Sequence, residues 1–395
     1  MVRPIPGQIG ITNNNSLKTG LTCQKGVFLW GKLAHNKAMK PFDPFLIPQE
    51  NLPEIIYHYC SAASFYGIVQ SRSIWLSSSL DMNDLSETKF LKHQIVQYIR
   101  KIKHAIMAEE SSLRPSSRLF SSDFDRPEQS LKEKLTFLQE RLGLQTLSDL
   151  LDSLVAQALE PIFPEDVPYI ASFSREKDLL SQWVKYGHGG TGICIGFDTR
   201  RLMQLIQKAN TSHNPCLSEF PLFSLHPISY DPKACDEYIQ SEFERLLQNV
   251  CEWTELILKT RRISYIRQED LDESMMIQLN AFVDDFSILS LRRAGLFKHE
   301  GFEEEAEYRL MTIDPLLFDQ HILQARTLPV ECHYINDKIR THITLDLSGQ
   351  WDKGLIKSVA TGPAYKGNLI DIEYFVRTQI HPDAQFFQSS IPFRL

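Results

Sequence analysis

Long apolar runs are missing from this 395-residue chain, and so is any ordered cysteine pattern. No stretch approaches the roughly 18 consecutive apolar residues of a membrane-spanning helix, so no membrane span is expected. The seven cysteines, Cys23, Cys60, Cys194, Cys216, Cys235, Cys251 and Cys332, form no CxxC pair. An odd, scattered set argues against a disulfide framework and a structural zinc site, and fits a reducing compartment. A dense basic block is also lacking. The net charge is -7, and the small clusters Arg100, Lys101, Lys103 and Arg292, Arg293 read as solvated helix faces. Binding to a phosphate backbone is therefore not the default expectation. HExxH, GxSxG and metal-spaced carboxylates are absent as well, and no metal is expected. No charged-then-apolar leader is visible, so a classical signal peptide is not expected. The expected location is the cytoplasm, or another cell reached by a leaderless route.

What is present belongs to a globular protein. Apolar residues make up 43% and aromatics 10%, enough for a real core. The length allows one large domain with insertions, or two domains. Residues 1-50, rich in Asn, Gly, Pro and Lys, read as an irregular arm, and 51-395 as the domain. Short extended segments are expected at 55-59, 73-76, 169-173, 192-197, 308-313, 359-360 and 369-375. Apolar residues recur at helical spacing over 62-70, 85-108, 128-159, 179-186, 234-262 and 268-291, with Gly143 breaking the third stretch. Helices thus gather in two insertions, about 85-160 and 200-292, between short strands spread along the chain. The strands must pair across those insertions to share one core, which is an α+β arrangement.

Three segments carry the candidate chemistry. Tyr57-His58-Tyr59 ends a short strand whose alternation puts His58 opposite its two tyrosines. His58 can donate to a ribose hydroxyl or a phosphate; a core histidine bonded to a backbone carbonyl is the plainer reading. Cys60 beside it leaves a Cys-His nucleophile as a minor alternative. Ser172-Phe173-Ser174 precedes Trp183 and Tyr186, which share a helix side and either stack on a ring or sit in the core. The Gly-rich stretch 187-192 lacks the spacing of a phosphate loop and reads as a tight turn. Asn83, Asp84 and Glu87 read as a helix start. In Glu303 to Arg309, a strand would place Glu305, Glu307 and Arg309 on one face, with the two carboxylates roughly 6–7 Å apart. An acidic solvated turn is the plainer alternative.

In order, these segments resemble the bacterial family catalogued as domain of unknown function 2971. The likeness rests on His58-Tyr59, Asn83-Asp84, Ser172-Phe173-Ser174, Trp183, Tyr186, Gly192, Phe197-Asp198, Glu305 to Arg309, Gly362-Pro363 and Ser389 to Arg394. The family's His strand and Glu strand are in turn similar to divergent ADP-ribosyltransferases. That resemblance implies a split β core with large helical insertions, binding NAD as substrate between two small sheets. It further implies that Glu307 holds the nicotinamide ribose, with Glu305 facing an acceptor and His58 anchoring NAD. Tyr59 would then pack the entrance and Ser172 or Ser174 buttress the glutamate, while Phe173, Trp183 or Tyr186 cover nicotinamide. The implied activity is mono-ADP-ribosylation of a protein acceptor with nicotinamide release. The acidic balance disfavours a nucleic-acid acceptor. A catalytically silent binding or regulatory protein on the same scaffold is the alternative from another class.

Overall fold

A computed structural model describes residues 52–79, 86–111, 127–159, 168–213, 223–312, 329–335 and 337–393. The arm at 1-50, the Asn83-Asp84 cap and Arg394 lie outside them. In chain order the described elements are β1 (Ile55–Cys60), α1 (Ala62–Ser71), β2 (Ser73–Ser78), α2 (Ser86–Ser111), α3 (Pro127–Leu142) and α4 (Leu144–Leu159). Then follow β3 (Tyr169–Ser174), α5 (Leu180–Lys185), β4 (Ile193–Asp198), α6 (Thr199–His213), β5 (Phe223–Pro227), α7 (Pro232–Arg261) and α8 (Glu273–Ala294). The chain continues through β6 (Glu307–Thr312), β7 (Glu331–Ile335), β8 (Lys338–Asp346), α9 (Ser348–Trp351), β9 (Ile356–Thr361), α10 (Leu369–Gln379) and β10 (Gln385–Gln388).

The strands join in a sheet that forks at β3. One edge of β3 pairs with β6 along its whole length, from Tyr169↔Thr312 to Ser174↔Glu307. Its other edge is shared. β2 takes the start, at Ser77↔Ile170 and Ser78↔Tyr169, while β1 touches the far end at Tyr57↔Ser174. Between those contacts β1 and β2 part. One limb runs outward through β1, β4, β9 and β10, the other through β2, β8 and β7, and β5 extends the sheet beyond β6. The fold is α+β, with strands more than a hundred residues apart brought side by side.

Period-two alternation divides the side chains between two layers. Ile56, Leu76, Phe173, Leu310 and Ile343 face a core closed by Phe65 of α1, Leu202 of α6, Trp351 of α9 and Val376 of α10. Ile170 and Met311 face the other way, into a helical layer built from α2, α3, α4, α7 and α8. There Gly143, at φ +81°, turns α3 into α4, a conformation that glycine adopts without strain. A smaller cluster of Tyr59, Trp183, Cys194 and Ala360 covers the β1 limb on this second face.

Three expectations need correction. Residues 369–379 are helical, not extended: the Asn368 side chain accepts from the Ile370 amide at 3.0 Å, and Ile372, Phe375 and Val376 present one helical face to the core. The second insertion contains a strand, β5, which pairs with β6 from Phe223↔Thr312 to Pro227↔Tyr308. Glu305 is not on the Glu307 strand. It ends a 3-10 turn, and Ala306, at φ +42°, redirects the chain before β6 begins.

Candidate functional site

His58 stands at the fork. Its Nδ1 lies 2.9 Å from the Ser172 carbonyl oxygen, an acceptor in the stretch of β3 edge flanked by neither β1 nor β2. The ring is tilted against Phe173, with centroids 5.5 Å apart. Burial lowers its pKa, while the Ser172 bond opposes the shift, so the neutral ring donates through Nδ1. Register assigns His58 to the face of Ile56 and Phe173, and Tyr57 and Tyr59 to the face of Ser174. The backbone-bonded histidine that the sequence allowed is what is seen.

Across β3, a chain of alternating charges runs from solvent into the interior. Lys185, whose side chain is 40% exposed, pairs with Glu305. Lys298, almost fully buried, reaches Glu305 Oε2 at 2.7 Å and Glu307 Oε2 at 3.3 Å. Arg309 closes the inner end with a two-pronged bond to Glu307, Nε to Oε1 at 2.7 Å and Nη2 to Oε2 at 2.9 Å. Its Nη1 donates to the Gly295 carbonyl at 2.8 Å. Both carboxylates are buried, and each is held by two cations. Burial pushes the Glu307 carboxyl upward, but Arg309, Lys298 and a hydrogen bond from Ser172 outweigh it and bring it to about 2. Glu307 is therefore ionised at any ordinary pH.

Backbone pairing just past the end of the β5–β6 ladder aims these groups. Ser229 donates to the Leu296 carbonyl at 2.9 Å and accepts from Lys298 at 3.0 Å. That bridge sets Lys298 and Tyr230 beside Glu307, whose amide donates to the Tyr230 hydroxyl at 3.0 Å. The Phe302 ring lies under both ammoniums, 4.6 Å from Lys185 Nζ and 4.9 Å from Lys298 Nζ. Ser174 is structural here: its hydroxyl donates to the Glu305 carbonyl at 2.8 Å and accepts from the Glu176 amide at 3.0 Å. It ties β3 to the turn that carries Glu305.

The aromatics separate from this chain of charges. Trp183 is fully buried, edge-on to Tyr59 with centroids 4.9 Å apart, and its Nε1 donates to Asp178 at 2.7 Å. The Tyr59 hydroxyl donates to the Glu176 carbonyl at 2.8 Å and accepts from the Leu179 amide at 3.1 Å. Tyr186 packs on the same cluster, and Phe173 lies in the opposite core. Residues 187–192 form the tight turn anticipated. A Cβ on Gly192 would come within 2.3 Å of the Cys60 carbonyl oxygen. The fork thus brings Ser172, Glu305 and Glu307 together, sets His58 across the sheet from them, and packs Tyr59, Trp183 and Phe173 as core.

Lys298, Lys185 and Tyr230 were missed by sequence reasoning. Lys298 follows Leu296-Phe297 with no periodic or motif signal, and its role depends on a backbone bridge to Ser229. Arg309 was legible, since Glu307 and Arg309 share a strand face. Among the described residues, no group of three or more His, Cys, Asp or Glu is arranged to hold a metal, and no helix is long and apolar enough to cross a membrane.

Residues 182–310 match the family model described as protein of unknown function (DUF2971). The matched stretch holds Trp183, Tyr186, Phe197-Asp198 and Glu305 to Arg309, and leaves out His58, Ser172 and the C-terminal segment. This chain is similar to that family over α5 to β6. No curated protein and no solved structure matches the chain.

Proposed function

We propose that this protein is an NAD-dependent mono-ADP-ribosyltransferase on an ADP-ribosyltransferase-like split sheet, transferring ADP-ribose to a protein acceptor. The fork carries the reading. β1, β3 and β6 are spatial neighbours, and the edge of β3 at Ser172 lies between two diverging limbs, with the ionised Glu307 on the same face as Ser172. Such a gap suits an extended dinucleotide.

In the transfer, the bond from ribose C1′ to the nicotinamide nitrogen breaks, and its electron pair leaves with nicotinamide. An acceptor nucleophile then bonds to C1′ and gives up its proton. The sugar cation between those events is stabilised by a fixed carboxylate nearby. Glu307 supplies that charge in this reading, held in place by Arg309 and Lys298. Glu305, paired with the exposed Lys185, takes the acceptor's proton once Lys185 swings aside. His58 holds its section of the β3 edge, and Ser172 orients Glu307.

One observation favours a silent binding or regulatory protein instead. The Glu307 carboxylate is closed in by Arg309, Lys298 and Ser172, with the side chain 3% exposed. Such an ion network holds a fold together without chemistry.

Nicotinamide release by the purified protein tests the choice, with cell lysate as the acceptor source. Glu305→Gln and Glu307→Gln are the informative variants. Truncating Glu307 to Ala would remove the carboxylate that Arg309 grips with two bonds and cost about 3–5 kcal/mol of stability. Release by the wild type, lost in both Gln variants while each remains folded, is the expected outcome. A wild type that releases nothing under any condition sinks the transferase reading. Label on nucleic acid rather than protein would correct the acceptor class.

A further inference from the structure

The face of the sheet that carries Ser172 continues onto the β2 limb, and there it is not closed by the helical layer. Ile74 and Leu76 point into the core, so Ser73, Trp75 and Ser77 point the other way. Ser77 pairs with Ile170, two residues before Ser172. Trp75 therefore shares the face of Ser172 and Glu307, on the opposite limb from Trp183.

Trp75 is 47% exposed, yet it is backed by rings. Its centroid lies 4.0 Å from that of His342, at 31° between planes, and 4.8 Å from that of His333. The histidines meet through Nδ1, 3.1 Å apart. His342 is 2% exposed, and its Nε2 has no hydrogen-bond partner among the described residues. Glu331 Oε2 stands 3.7 Å from that nitrogen, and Glu331 Oε1 is 3.3 Å from Thr344 Oγ1, on the residue opposite Trp75 across β2 and β8. Glu331, Thr344, His342, His333 and Trp75 thus form one contiguous patch. An indole held on one side by packed rings and open on the other is a ready surface for a planar heterocycle. A carboxylate at its rim accepts hydrogen bonds and donates none, which favours a base with an N–H donor on its edge, such as an exocyclic amine.

We infer that Trp75, backed by His342 and His333 and rimmed by Glu331, is a stacking subsite for an aminopurine, the adenine end of the proposed substrate. The name of the ligand rests on the transferase reading. The platform geometry does not.

Adenosine and purine riboside 5′-monophosphate are the probes, the second lacking any N–H donor on the base, followed by tryptophan fluorescence and calorimetry on the full chain. Adenosine monophosphate should bind the wild type, roughly tenfold or more weakly to Trp75→Ala, since stacking on one aromatic ring carries that much affinity. Trp75→Phe should keep most of the affinity, and Glu331→Ala should lose the preference for adenosine over purine riboside monophosphate. Equal affinity in wild type and folded Trp75→Ala overturns the subsite, as does no binding to the wild type at millimolar concentration. NAD turnover with an unchanged KM in Trp75→Ala would overturn the subsite and leave the transferase standing. Binding lost in Trp75→Ala, with no turnover by the wild type, would keep the subsite and overturn the transferase.

Discussion

The two limbs of the fork each carry a tryptophan on the same face of the sheet, and they finish it in opposite ways. On the β1 limb, Trp183 is sealed against Tyr59, Cys194 and Ala360, with its Nε1 bonded to Asp178. On the β2 limb, Trp75 stays half in solvent over a histidine whose Nε2 has no hydrogen-bond partner among the described residues. A strut has every polar atom satisfied and every ring face covered. A surface left open, with polar capacity unspent behind it, is where ligand chemistry has room. The difference shows which tryptophan supports the fold and which is available to a ligand.

Stability should divide along that line. Trp183→Ala removes a fully buried ring and should lower stability by about 3–5 kcal/mol, read as a drop in the urea midpoint. A loss near zero would mean that the β1-limb cluster is not a strut.

Acid should act next, through the charges beside the fork. The folded pKa of Glu307 is about 2 against an ordinary 4.5, so the folded carboxylate binds its proton less readily than the unfolded one. Its stabilisation is complete above about pH 4.5 and drains away as pH falls towards 2, amounting to about 3 kcal/mol. Denaturation curves at pH 6 and pH 3 for wild type and Glu307→Gln check this: the variant should lose less between the two. Equal losses would show that Glu307 is not held as described.

Gly192→Ala tests the β1 limb at its turn. The new methyl would press on the carbonyls of Cys60 and Gly187, at 2.3 and 2.7 Å, and overpacking of this kind costs about 1–3 kcal/mol. An unchanged melting temperature would show that the turn yields freely.

The smallest effect should be on the open limb. Trp75→Ala should change stability by less than about 1 kcal/mol, as a half-exposed residue does. A loss matching that of Trp183→Ala would abolish the contrast. His342 sharpens it. Burial first, then the charge of His333, lowers its pKa, with Glu331 opposing. Its contribution is complete above the ordinary value of 6.5 and fades as pH falls through the lowered one. Trp75 emission should follow that titration in the wild type, and Trp75→Phe should remove the signal.

Much of the scaffold was legible. Heptad-like leucines either side of Gly143 forecast the α3–α4 hairpin, and β-branched and aromatic clusters forecast β1, β3, β4 and β6. Alternation alone put His58 opposite Tyr57 and Tyr59, and Glu307 with Arg309. The failures have local causes. At 369–379, β-branched and aromatic residues masked a helix whose start is signalled by Asn368. At Glu305, a left-handed Ala306 makes the strand begin at Glu307, two residues later than the pattern suggested. Strands β5, β7 and β10 were not anticipated, since edge strands need little apolar periodicity, and neither was β8, which pairs on both edges.

The sequence by itself determined the helical hairpin, the central strands and the faces of their residues, because those follow from periods of 3.6 and 2 along one stretch of chain. The tertiary structure decided the fork, the Lys298 bridge between two carboxylates, and which tryptophan meets solvent. Those depend on pairings between residues more than a hundred positions apart in the case of the fork, and on a backbone bridge from Ser229 to Phe297 for Lys298. Whether a buried charge is tolerated, or an indole face covered, is set by partners that no neighbouring residue announces.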